Sequence, residues 1–231
     1  MNLLAIDTST DACSVALLCG GELSGHCRVE PRGHTRLIMP MVRQLLAEQG
    51  VAMADLDALA FAAGPGSFTG LRIATGVIQG LAWGLDIPVV PVSSLQAVAL
   101  ALAESNEAGE GDGMAVAFDA RMDEVYWGCF QRVDGLPELL APERVCPPEQ
   151  VSLPEGCSRW LAGGSGWRYA DRMPDSVTGL VSSPDPALAP DARFVARLAA
   201  VAWQQGKAVP AAQAQPVYLR DEVTWKKLPG R

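Results

Sequence analysis

The chain has 231 residues, of which 49% are apolar and 19% charged, a composition that builds the core of one large or two small domains without staples and lies far from that of disordered segments. Its 18 Lys and Arg against 26 Asp and Glu leave a net charge of -8, which repels a phosphate backbone and argues against autonomous nucleic-acid binding. The start, MNLLAIDTST, meets Asp7 after a short apolar run with no cationic leader, so no signal peptide or membrane span is expected and the cytoplasm is the default compartment.

In chain order, Leu3 to Asp7 and Cys13 to Leu18 read as short apolar strands, and Gly20-Gly21 reads as a hairpin turn into a third strand over Glu22 to Val29. Thr35 precedes apolar residues at Leu37, Ile38, Met41, Val42, Leu45 and Leu46 that are closed by Gly50, which is helical spacing with a glycine stop. Pro40 inside that pattern implies a kink or a later start. Leu56 to Ala62 is a buried type of strand, Thr69 to Gly84 a helix apolar nearly all round, Ile87 to Val92 a strand and Leu95 to Ala108 a helix. This alternation predicts a partly parallel sheet with helices packed on it.

Glu104 to Gly113 is acidic and glycine-rich and forms the best boundary, dividing the chain into an N-terminal lobe, residues 1–108, and a C-terminal lobe, residues 109–231, whose tail is expected to pack back toward the first. Met114 to Asp119 and Val125 to Arg132 read as consecutive strands, followed by a turn at Asp134-Gly135. Pro137 to Pro154 shows no clear pattern; Trp160 to Gly166 reads as strand plus glycine loop, and Phe194 to Trp203 as a helix. Ala5-Ile6-Asp7-Thr8 is echoed 112 positions later by Ala117-Phe118-Asp119-Ala120. Two similar halves, each opening with a β-hairpin whose first strand ends in Asp, are implied.

Chemistry is sparse. The six cysteines contain no C-x-x-C pair and the two histidines, His26 and His34, stand eight apart, so metal-site spacing is absent; Cys13 and Cys19 read as small core hydrophobes. Asp7, followed by Thr8 and Ser9, suits a nucleotide phosphate with its divalent cation, as does Asp119, and the alternative for each is a turn cap. Gly64 to Arg72 either presents a helix N-terminus to an anion or is a turn with Ser67 or Thr69 as N-cap; it is not a Walker A loop, since no Lys follows Gly70. Gly76, Gly80 and Gly84 recur every four residues along one helix face, at about 0.5 to 1 kcal/mol each relative to Ala. A close helix neighbour must offset that cost, either the Leu37 to Leu46 helix of the same chain or a helix of another subunit. No hydrolytic triad is supported.

AIDTST at 5–10, GPGSFTGLRIATG at 64–76, FDARMDEVYWG at 118–128 and PVYLRDEVTWKK at 216–227 resemble the signature stretches of the TsaB (YeaZ) family, end to end. The resemblance implies the two-lobed α/β fold of actin, sugar kinases and Hsp70, with duplicated mixed-sheet halves. It also implies a non-catalytic scaffold or activator for threonylcarbamoyl transfer to N6 of adenosine 37 in tRNAs reading codons that begin with A. The implied partners are a TsaD-type transferase and a TsaE-type ATPase, with a homodimer when the chain is alone and tRNA engaged through the complex. No cofactor is required of this chain, although ATP or ADP and a divalent cation fit the complex. The catalytic paralogue carries a metal-binding H-x-x-x-H after the strand that corresponds to Val89 to Val92; here Ser94 and Val98 stand at those positions, so neither transfer chemistry nor the older glycoprotease reading carries over. The family's partner surface maps onto the two N-lobe helices and their Leu37, Met41, Leu45, Leu71, Gly76, Gly80 and Gly84. The enzyme alternative is an ATPase or phosphotransferase using Asp7 and Asp119.

Overall fold

A computed structural model describes residues 1–220. β1 (Asn2–Asp7), β2 (Ala12–Cys19) and β3 (Glu22–Val29) form an antiparallel meander. Its two-residue turn uses Gly20 and Gly21, both at positive φ. α1 (His34–Glu48) follows and runs through Pro40. Pro40 lies on the exposed side, where the carbonyl deprived of its N–H partner stays hydrated, so the helix neither starts late nor stops there. β4 (Ala58–Gly64) pairs parallel with β1; α2 (Phe68–Leu85) crosses back, and β5 (Val89–Ser93) pairs parallel with β4. The sheet order is β3-β2-β1-β4-β5. α3 (Ser94–Ser105) leads into the acidic loop.

The second sheet repeats the plan. β6 (Gly113–Asp119) and β7 (Val125–Val133) form its hairpin, β8 (Leu136–Leu139) and β9 (Arg144–Cys146) pair with different stretches of β7, and β10 (Trp160–Gly163) lies parallel to β6. The order β10-β6-β7-β8 matches β4-β1-β2-β3, so the two mixed sheets repeat one α/β plan, as the half-chain echo implied. The stretch that showed no pattern supplies β8 and β9, strands too short to carry a period. A single helical turn, α4 (Asp175–Thr178), and the longer α5 (Ala192–Gln204) complete the α-helices among the described residues.

Alternation along β1 sends Leu4 and Ile6 to one face of the first sheet and Leu3 and Ala5 to the other. Large residues, Leu59 and Phe61 among them, meet α1 and α2 on the first face. The opposite face is rich in alanine, with Ala5, Ala16, Ala58, Ala60 and Ala62 beside Leu3, Val90 and Val92, and it receives Ala192, Val195, Ala196 and Ala199 of α5. Packing thus crosses the acidic boundary in both directions. α5 covers the first sheet, whereas α3 puts Leu95, Val98 and Leu102 against Met114, Val116 and Phe130 of the second sheet and Ala97 and Leu100 against the first. Buried on nearly every side, α3 has little need of amphipathicity. The Ala192 N–H at the start of α5 donates to the Ser14 Oγ of β2 at 2.8 Å, tying the late helix to the opening hairpin.

Candidate functional site

At the end of β1, Asp7 turns its carboxylate back on the chain, and Oδ1 accepts the N–H of Ser9 at 2.8 Å, the side-chain turn that Asp favours at such positions. Thr8 Oγ1 donates to the Gly70 carbonyl at 2.7 Å, and the Ser67 N–H donates to the Ser9 carbonyl at 2.7 Å. Glycine makes this approach feasible: a Cβ on Gly66 would lie 2.6 Å from the Ser9 carbonyl oxygen, and one on Gly70 would run into the Thr8 carbonyl. The Gly64 to Gly70 loop therefore lies directly on the strand end, and Asp7 and Thr8 are 0% exposed. Ser67 is the N-cap of α2, accepting the Gly70 N–H at 3.3 Å. Burial pushes the Asp7 carboxyl up to about 6, opposed by the Ser9 hydrogen bonds and reinforced by Asp191. Asp7 Oδ2 and Ser9 Oγ have no hydrogen-bond partner.

Asp119 ends β6 in the same turn, its Oδ1 accepting the Arg121 N–H at 2.9 Å. Its surroundings are opposite in sign, for Oδ2 lies 3.2 Å from Arg168 and 3.6 Å from Arg121. The β6–β7 turn that follows holds Arg121, Met122 and Asp123 at φ of 63°, 54° and 59°, a left-handed run that needs outside support. Arg220 gives it, donating to the Ala120 carbonyl at 3.3 Å and to the Glu124 carboxylate. Asp7 and Asp119 thus share a local conformation but no partner; one is sealed and the other neutralised by arginines.

The surface expected from the N-lobe helices is divided by the structure. Leu37, Met41, Leu45 and Leu71 are no more than 7% exposed; the first three pack on the sheet with Leu4 and Phe61. Their placement on a partner surface is corrected, because an apolar stripe that already covers a sheet has nothing left to offer outside. Gly76, Gly80 and Gly84 face outward, and a Cβ on any of them would meet nothing within 4 Å. The reading in which α1 of the same chain fills the stripe is corrected with it. Two aromatic residues that sequence reasoning passed over flank the stripe on α2, Phe68 at 60% exposure and Trp83 at 77%. The steps Phe68, Arg72, Gly76, Gly80 and the turn on to Trp83 carry the helical signal that finds them. Beyond Trp83, a groove of about 690 Å³ is lined by Asp86, Ile87, Pro88, Val209 and Pro210.

The positions that would carry the paralogue's metal-binding pair are interior here. Ser94, at the start of α3, is buried with its Oγ unpartnered, and Val98 is core. His26 pairs with Glu48 at 2.7 Å and His34 bonds the Thr10 carbonyl at 2.8 Å. Among the described residues no three His, Cys, Asp or Glu side chains converge as metal ligands, and no helix is long and apolar enough to cross a membrane. Of the signature at 216–227, residues 221–227 lie outside the described residues.

The chain thus combines a duplicated α/β plan with an uncovered α2 face and a closed strand-end carboxylate. Residues 28–212 match the family described as TsaD: tRNA N6-adenosine threonylcarbamoyltransferase. Within that class the chain belongs to the TsaB family. It is 41% identical over its full length to the tRNA threonylcarbamoyladenosine biosynthesis protein TsaB of Escherichia coli (strain K12), all of which is covered. It is 42% identical over its full length to that of Haemophilus influenzae, 98% of which is covered. The structure of YeaZ from Pseudomonas aeruginosa superposes with a TM-score of 0.89 at 48% identity, covering 94% of this chain and 99% of that one.

Proposed function

We propose that this chain is the non-catalytic subunit that docks on and activates a TsaD-type threonylcarbamoyl transferase in threonylcarbamoyladenosine biosynthesis, acting at N6 of adenosine 37 together with a TsaE-type ATPase. The observation that carries this reading is the outward face of α2, where three glycines lie bare with nothing packed on them. A helix face that gives up about 0.5 to 1 kcal/mol at each of three glycines and gains no packing there within its own chain is built to receive another backbone. Exposed Phe68 and Trp83 supply the apolar area that associating helices bury. When alone the chain pairs with itself through the same face, and tRNA is engaged through the complex.

The phosphotransferase alternative asks for an open phosphate seat at Asp7. The Gly64 to Gly70 loop occupies that space, and the carboxyl, held near 6 by burial, is a weak cation ligand in acid and an isolated buried charge in alkali. ATP or ADP and any divalent cation are accordingly assigned to the assembly and not to this chain. Reconstitution tests the reading: the transferase with tRNA and its threonylcarbamoyl donor should turn over slowly alone and be accelerated when this chain is added. Full activity without the chain overturns it.

A further inference from the structure

At the first turn of α2 the docking face is not made by the helix alone. The Arg72 guanidinium lies 3.2 Å from the centroid of the Phe68 ring and 5.4 Å from that of Tyr218, and the two rings are 5.8 Å apart at 41°. Tyr218 comes from the last described segment, more than 140 positions further along the chain. That segment is held at both ends. The Val217 N–H donates to the Ala63 carbonyl at the end of β4 at 2.8 Å, with the Val217 carbonyl oxygen 2.7 Å from where a Gly64 Cβ would stand. At the other end Arg220 grips Ala120 and Glu124 of the second sheet's hairpin turn. The segment is therefore a strap between the lobes, and Tyr218 rides at its middle with 42% of its surface exposed.

We propose that Phe68, Arg72 and Tyr218 form an anchor for a carboxylate on the transferase subunit seated on α2, and that Arg220 is the positioning residue that holds the anchor's third wall. The inference rests on the docking reading above and adds the chemistry of its contact. Two rings fix the planar guanidinium, so that little side-chain freedom remains to be lost on binding. Among the described residues no carboxylate lies within 4 Å of Arg72, whereas Arg121, Arg168, Arg172 and Arg220 each have one. Exposed aromatic rings around an arginine with no carboxylate partner among the described residues have the composition of an interface hot spot. Arg72 stands one turn from Gly76 on the same face, so the anchor continues the bare stripe, and a partner helix on the glycines brings its neighbouring side chains to the guanidinium. Complementary charge there sets specificity and register.

The test is titration of the purified chain with its cognate transferase by calorimetry at low and high salt. Arg72→Ala should weaken binding by about tenfold or more and flatten its salt dependence. Arg72→Lys should recover only part, since an ammonium lacks the planar stack. Arg220→Ala should weaken binding in the parent background yet cost almost nothing further on top of Arg72→Ala, with circular dichroism showing both variants folded. Parent-like binding by Arg72→Ala, or losses from Arg72 and Arg220 that simply add, overturns the anchor. So does a result in which these variants impair self-association but leave the transferase complex unchanged. No binding by the parent chain removes the docking reading and the anchor together, whereas binding that ignores Arg72 removes the anchor alone.

Discussion

Asp7 shows how one buried atom sets a pH profile. Its ordinary value of 3.8 is raised to about 6 in the folded chain, so folding favours the protonated form. The resulting stability is complete below the unfolded value and is lost as the pH rises through about 6, where ionisation costs about 3 kcal/mol. Asp7→Asn keeps the acceptor that receives the Ser9 N–H but cannot ionise. Between pH 4 and pH 7 the unfolding free energy of this variant should gain about 2 kcal/mol on that of the parent, read by urea titration. Comparing the two proteins cancels Glu143, which burial beside Ser93 pushes up to about 7. A difference that stays flat with pH would mean that Asp7 is hydrated in solution. Ser14→Ala belongs to the same scale: it leaves the buried Ala192 N–H without its acceptor and should cost about 1 to 3 kcal/mol in the same titration.

Along α2 the glycines divide by what surrounds them. Gly70 touches the Thr8 backbone, whereas Gly80 has open space. Gly80→Ala should therefore stabilise the monomer by about 0.5 to 1 kcal/mol in thermal unfolding, and Gly70→Ala should destabilise it sharply. Gly80→Leu should leave the monomer folded and block association in light scattering; unchanged association would sink the docking face. How much of this was legible beforehand depended on range. The Asp7 and Asp119 hairpins could be read because each is written in one stretch of local sequence, and the Gly76, Gly80 and Gly84 spacing identified a face. The apolar stripe of Leu37, Met41 and Leu45 said that a face is buried but not against what, and only the sheet beneath decides that. A return of the tail toward the first lobe was expected from the sequence, but which side chains it brings together was not legible, since Tyr218 and Arg72 meet through tertiary packing, and β8 and β9 are too short to show alternation.

At the scale of the molecule, the exchange of helices makes the two lobes interdependent. The alanine-rich face of the first sheet loses most of its cover without α5, and the second sheet loses Leu95, Val98 and Leu102 without α3. A fragment of residues 1–108 should consequently fail to fold cooperatively, exposing an apolar sheet face that binds dye or aggregates, as monitored by circular dichroism and light scattering. Its independent folding would show the lobes to be separable. The clasp between Ser14 and Ala192 also has a consequence in time. At about 5 to 20 residues per second, the ribosome needs roughly 10 to 40 s to go from the first hairpin to the helix that shields it. A nascent chain spends that interval with its earliest strands complete in sequence and unfinished in packing, so the moment of greatest need for chaperones is set by the position of α5.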